Sequence, residues 1–173
     1  YREIYGRALS KKAKTRIREN LLCDLSPAET LALIYYSGQG SAPIERALLG
    51  DSAPSPLLNF STLINRGLAR MRPFQGIIQS GQSRLSQETF QVGEFEVPRY
   101  FSGSILNHRP FPGHQLKIQS KTCRWIALFS VNFNEDEVLC PTKSKFKILQ
   151  TRKLNPGEFG HDDRREWLHV RVT

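Results

Sequence analysis

The sequence predicts an α+β domain, with helices first and short, mostly antiparallel strands after them. Two observations carry this reading. Up to Met71 apolar residues recur every three or four positions, and beyond Pro73 the spacing falls to two, with frequent Gly and Pro breaks. A chain of 173 residues, 39% apolar and 24% charged, is long enough for one real core and ordinary for a globular protein. No internal repeat or low-complexity segment interrupts it.

Taken in order, residues 1–7 read as loose. Leu9, Ala13, Ile17 and Leu21 then form one stripe of an amphipathic helix that ends at Leu22-Cys23-Asp24. Ser26-Pro27-Ala28-Glu29 is a capping box with Pro at the first helical position, opening a second helix whose inner face is Leu31, Ile34 and Tyr35. Ser37 to Gly40 breaks it. Pro43–Leu49 reads as a short helix, 51–56 as a loop with two prolines, and Leu57–Met71 as a helix with Phe60, Ile64, Leu68 and Met71 on one side. Gly76–Gln79 is a short strand and Ser80–Thr89 a polar loop. Phe90–Ser102 holds short strands broken by Gly93 and Pro98, and Asn107–His114 is a loop. Strands are then expected at Gln115–Gln119, Arg124–Ser130, Glu137–Cys140, Lys145–Lys153 and Glu166–Thr173, with a polar loop over 154–164. In the last strand Leu168, Val170 and Val172 alternate with His169 and Arg171.

The net charge is +9, and residues 1–22 hold seven Lys/Arg against two Glu, or +5 of it. Arg2, Arg7, Lys11, Lys12, Lys14, Arg16 and Arg18 could meet an acidic partner, but no interleaved aromatics or nucleic-acid motif stand beside them, so a solvated helix face is the plainer reading and nucleic acid is not the expected partner. This gives a basic segment and helix over 1–24 and a main domain over 25–173. No run of 18 apolar residues exists. The sequence begins at Tyr1 with no initiator Met and no apolar run in its first residues, so it reads as a piece of a longer protein, and any targeting signal would lie outside it. Cys23, Cys123 and Cys140 are odd in number and widely spaced, which suggests reduced thiols rather than a disulfide framework or a metal site.

The stretch with the most chemistry is Phe133-Asn134-Glu135-Asp136-Glu137-Val138-Leu139-Cys140-Pro141. In a strand, Glu135 and Glu137 would share a face, roughly 7 Å apart, with Asp136 turned away. Two neighbouring carboxylates suit glycosidic-bond cleavage, where a positive centre must be stabilised and a nucleophile oriented. E-x-E alone is a weak signal, and a solvated acidic turn before a strand is its ordinary meaning.

Four pieces in this order resemble the arginine-specific mono-ADP-ribosyltransferases, across roughly residues 25–173. Leu25–Tyr35 with Ile44–Leu49 is similar to the family's N-terminal helix pair. Pro73-Phe74-Gln75-Gly76-Ile77-Ile78-Gln79-Ser80-Gly81 resembles its first strand. Tyr100-Phe101-Ser102-Gly103-Ser104 resembles its aromatic-x-Ser-Thr-Ser strand. Glu135-Asp136-Glu137-Val138-Leu139 with Pro141 and Phe146-Lys147-Ile148 resembles its E-x-E and closing strand. Within the family the chain most resembles type III effectors of plant-pathogenic bacteria.

The resemblance implies two packed, mostly antiparallel sheets behind the helices, with NAD as the substrate and no metal. It implies that Glu137 is the catalytic glutamate, which holds the nicotinamide ribose and stabilises its oxocarbenium. Glu135 would hold and deprotonate the acceptor guanidinium, Ser102 would orient Glu137, and Ser104 would support the strand edge. Ser80, Gly81, Ser102 and Ser104 would face the dinucleotide, and Phe133 and Asn134 would meet the protein substrate. The chain departs from the pattern in one place that matters: the family's Arg falls at Ser80, with Gly81 following, and a serine brings no positive charge to a diphosphate. Arg84 is the nearest cation in sequence. Ser102 and Ser104 also read as ordinary turn serines, and Phe133 as a core aromatic.

Three functions are therefore in play. One is an enzyme that transfers ADP-ribose from NAD to an arginine of a host protein, after secretion by a bacterium. Another is a module that binds an arginine-containing peptide, or its own Arg2 or Arg7, through the Glu135/Glu137 cleft without turnover. The third is a basic nucleic-acid binder using residues 1–22.

Overall fold

A computed structural model describes residues 25–50, 55–82, 93–105, 114–131, 136–153 and 166–172. The expected helix over 9–21, the cluster Phe133, Asn134 and Glu135, Arg84, Cys23 and the 154–164 loop lie outside them. The chain forms two compact units. One contains the chain up to Arg72 together with Ile126–Asn134, and the other contains Pro73–Trp125 and the chain from Glu135 onward.

The first unit is helical. Helix α1 runs Pro27–Tyr35 and begins at the capping box read from the sequence: the Glu29 backbone N–H donates to Ser26 Oγ at 3.3 Å, and the Ser26 N–H donates to Glu29 Oε2 at 2.8 Å. The expected break at Ser37–Gly40 is a π-helical turn, Tyr36–Gly40, in which Gly38 leaves helical geometry at φ −96°, ψ −105°. Helix α2, Ser41–Leu48, follows without a loop, and α3 runs Ser55–Arg70. Ala32, Leu33, Tyr36, Ile44, Ile64, Leu68 and Met71 are buried. Gly67 lets α3 approach α1, since a Cβ there would stand 3.4 Å from Glu29 Cβ and 3.5 Å from a Leu33 methyl.

Arg124–Ser130, expected as one strand, is a strand only at Arg124–Trp125; a turn follows, closed by the Phe129 N–H on the Ile126 carbonyl at 2.8 Å. The apolar run Ile126–Phe129 is buried, and a continuous apolar run does not distinguish a buried turn from a buried strand. The Ser37 hydroxyl reaches the Phe129 carbonyl at 2.8 Å and ties this turn to the helices.

The second unit is β. Its strands are β1 Gly76–Gln82, β2 Glu94–Val97, β3 Phe101–Ser104, β4 His114–Ser120, β5 Arg124–Trp125, β6 Glu137–Cys140, β7 Ser144–Lys153 and β8 Glu166–Val172. The hydrogen-bonded order is β2-β7-β8-β4-β1-β3-β6-β5. The pairs are antiparallel except β4 with β8, which is parallel. Among the described residues a single pair, Gln79↔Ser104, joins β1 to β3, so the ladder falls into a five-strand group and a three-strand group. The α+β fold, with N-terminal helices and two mostly antiparallel sheets, is thus the one the sequence predicts. Strand β1 is longer than expected. It runs through Ser80 to Gln82 because all seven of its residues pair with β4, which overrides their polar, loop-like composition.

One face of this unit is apolar. Ile78, Val97, Phe101, Leu116, Ile118, Val138 and Phe146 pack together, with Phe146 5.0 Å from the Phe101 ring and 5.2 Å from that of Phe95. Cys123 and Cys140 join this core as a disulfide, which corrects the expectation of reduced thiols. Seventeen residues of sequence separate them, but they stand one step beyond the Arg124↔Leu139 pair of the β5–β6 ladder, an adjacency that sequence spacing hides.

Among the described residues of the helical unit Glu29 is a buried charge, with no solvent exposure. The Ser26 backbone N–H, the Ser26 hydroxyl and the Arg70 and Arg66 guanidiniums hold its carboxyl below the ordinary value of 4.5, and burial opposes them only in part. A carboxyl whose pKa is depressed by folding stabilises the folded state above its unfolded pKa, and that contribution is lost as pH falls through the lower folded value. Urea titrations followed by helical circular dichroism should therefore show Glu29→Gln removing part of the stability gained between about pH 3 and pH 6. Glu29→Ala should cost about 0.5–2 kcal/mol at neutral pH by removing one half of the reciprocal capping box.

Candidate active site

The site is built on β1, β3 and β6. Glu137 is the first residue of β6 and is half-buried. Residues directly opposed on antiparallel strands carry their side chains on the same face. Ser104 opposes Glu137, and Gln79 opposes Ser104. Gln79, Ser104 and Glu137 therefore form one polar row across three strands. Ser102, opposite Leu139, and Gly81, two residues on from Gln79, share that face. The other face of the same strands is the core face of Ile78, Phe101, Val138 and Cys140.

Two backbone features hold the row. A Cβ at Gly103 would stand 2.7 Å from the Gln79 carbonyl oxygen, so only glycine lets β3 lie this close to β1. Asp136 has φ 40°, a left-handed conformation for a non-glycine residue, and its carbonyl accepts from the Ile105 N–H at 3.3 Å. The chain thus turns sharply into β6 immediately before Glu137. Because Asp136 is not extended, strand alternation cannot place Glu135 beside Glu137, and the expected shared face does not follow from the strand.

The sequence-predicted residues fall out as follows. Glu137, Ser102, Ser104 and Gly81 are brought to one face. Ser80 is not: it alternates with Gln79 onto the core side, and its hydroxyl donates to the Ser102 carbonyl at 2.6 Å, although it is no more buried than Ser104. A one-residue slip along a strand moves a side chain to the opposite face, and the residue of β1 in the row with Ser104 and Glu137 is Gln79. Phe133, Asn134 and Glu135 lie outside the described residues. Among the described residues no group of three or more His, Cys, Asp or Glu could hold a metal ion, and no helix is long and apolar enough to cross a membrane.

The row continues into β4, where Lys117 opposes Gln79. Sequence reasoning passed over Lys117, although the alternation Gln115-Leu116-Lys117-Ile118-Gln119 already separates a polar face from an apolar one.

No protein-family model matches the sequence, and no curated protein does. Solved structures do match. The fold is that of the bacterial ADP-ribosyltransferase toxins and effectors. The type III effector XopAI of Xanthomonas axonopodis pv. citri superposes with a TM-score of 0.74 at 16% identity, over 99% of this chain and 74% of that one. Plx2a, an ADP-ribosyltransferase toxin from Paenibacillus larvae, gives 0.71 at 17% identity over 94% and 96%. The Vibrio splendidus ADP-ribosyltransferase Vis, in complex with agmatine, gives 0.66 at 15% identity over 100% and 90%. At these identities the likeness is one of fold.

Gly103→Ala should force β3 away from β1, at a cost of about 1–3 kcal/mol in chemical denaturation. Ser80→Ala, which keeps the small volume and removes one internal hydrogen bond, should cost about 1 kcal/mol.

Proposed function

We propose that this chain is an NAD-dependent ADP-ribosyltransferase that modifies arginine, with Glu137 as its catalytic carboxylate. The observation that carries the proposal is the row Gln79–Ser104–Glu137, a half-buried carboxylate at a strand start with a serine beside it, on the face away from the core. The shared fold with ADP-ribosyltransferase toxins and effectors supports it. The chemistry follows from the residues. The bond between nicotinamide and C1′ of its ribose breaks, nicotinamide leaves with the bonding pair, and positive charge grows on the ribose. A carboxylate fixed beside that ribose accepts its hydroxyl hydrogens and stabilises the charge where it develops. A guanidinium nitrogen of the acceptor then bonds to C1′ and loses a proton, for which Glu135 is the proposed base. Guanidinium and carboxylate match as a bidentate pair, and agmatine, the ligand of Vis, carries a guanidinium.

The finer assignments rest on the same reading. The chain belongs with the arginine-specific members. Ser102 orients Glu137, while Phe133 and Asn134 meet the protein substrate. The domain over 25–173 carries the activity, and the basic segment 1–24 is separate from it. Residues Ser102, Ser104 and Gly81 line the NAD side of the site, and Ser80 supports the strand behind it. XopAI is a type III effector, and by that likeness the protein acts inside host cells after bacterial secretion.

A second reading is favoured by one observation: the β1 residue in the row is the neutral Gln79, not a cation. On that reading the carboxylate cleft holds an arginine side chain, from a partner or from Arg2 or Arg7, without turnover.

Incubation with labelled NAD and an arginine-containing peptide separates the two. The transferase reading expects label on the peptide, and a loss of about 10²–10³-fold or more in Glu137→Ala. Peptide binding with no consumption of millimolar NAD would establish the second reading instead.

A further inference from the structure

We infer that Lys117 is the cation that receives the diphosphate of the dinucleotide, in place of a charged residue on β1. This deepens the transferase reading and rests on it. Lys117 lies in β4 between Leu116 and Ile118, which are 1% and 0% exposed in the core. Strand alternation therefore turns Lys117 to the opposite face, and its register partner on that face is Gln79. The row across four strands is then Glu137–Ser104–Gln79–Lys117: a carboxylate at one end, a cation at the other and two neutral hydrogen-bonding side chains between them.

The separation fits a dinucleotide better than an ion pair. Lys117 and Glu137 are three strand spacings apart, roughly 14 Å between backbones, and Lys117 is roughly 5 Å from Gln79. A ribose held at Glu137 sends its diphosphate along the row, and the long lysine stem reaches back toward it. Lys117 is half-buried, and among the described residues it has no ion-pair partner. The face is open on this side, where Ile77, two residues before Gln79, is 51% exposed. A half-buried ammonium is also less screened than a fully exposed one, which strengthens its hold on a diphosphate.

Calorimetric titration of the 173-residue chain with NAD tests this, at low and at moderate salt. Lys117→Ala should weaken binding about ten- to a hundredfold, the loss of one charge-assisted hydrogen-bonding cation. Its affinity should also fall less steeply with salt than that of the wild type, a change that a merely structural residue would not produce. Lys117→Arg should keep most of the affinity. Lys117→Met, which keeps the stem and removes the charge, replaces the alanine variant if the latter does not fold. NAD binding within about twofold of wild type in both uncharged variants, at unchanged melting temperature, would overturn the assignment and leave the transferase reading standing. Failure of the wild-type chain itself to bind NAD would overturn both.

Discussion

The β unit depends on how closely β3 lies against β1. Strand β3 is four residues long, and among the described strands it is the one that pairs the five-strand group with the three-strand group. Such a short strand can do this because Gly103 presents no Cβ to the Gln79 carbonyl. The Ser80 hydroxyl, bonded to the Ser102 carbonyl, adds a cross-strand tie at the same junction. With β3 in place, β6 pairs to its other edge, and Ser104 and Glu137 come into register. The geometry of the candidate site is therefore a consequence of one close backbone contact between neighbouring strands.

The two faces of these strands do different work. Behind the row, Ile78, Phe101, Val138 and Phe146 bury apolar surface, and the Cys123–Cys140 disulfide fastens β5 to β6. In front of it stand the polar side chains. Rigid strands backed by a packed core hold functional groups in position better than loops do. The left-handed Asp136 extends that logic to the entrance of β6. Strain in the backbone is tolerated where surrounding structure fixes it, and such residues cluster at functional sites.

Much of this was legible in the sequence because the signals were local. The Ser26–Glu29 capping box, the Ile64–Leu68–Met71 stripe and the strand at Glu137–Cys140 each announce themselves within a few residues, whereas α1 and the turn after it bury Ala32, Leu33 and Tyr36 rather than the expected Leu31, Ile34 and Tyr35. What was not legible depends on partners far along the chain. Composition made Ser80–Gln82 look like a loop, and only pairing with β4 makes it strand. The apolar run after Trp125 reads equally as strand or buried turn. Most consequential is the register of β1. Motif matching set Ser80 beside the acidic pair, whereas cross-strand pairing brings Gln79 into the row with Ser104 and Glu137, and one residue of slip exchanges one face of the strand for the other. Lys117 was invisible to motif reasoning for the same reason: its relation to Glu137 exists only through two intervening strands.

The central claim is that the face bearing Gln79, Ser104 and Glu137 is where the dinucleotide sits. A crystal structure of this chain with a non-hydrolysable NAD analogue tests it most directly. The account predicts ribose hydroxyls within hydrogen-bonding distance of the Glu137 carboxylate and a diphosphate lying across Gln79 on the Lys117 side. A dinucleotide bound elsewhere, with Glu137 making no contact to it, would contradict the account.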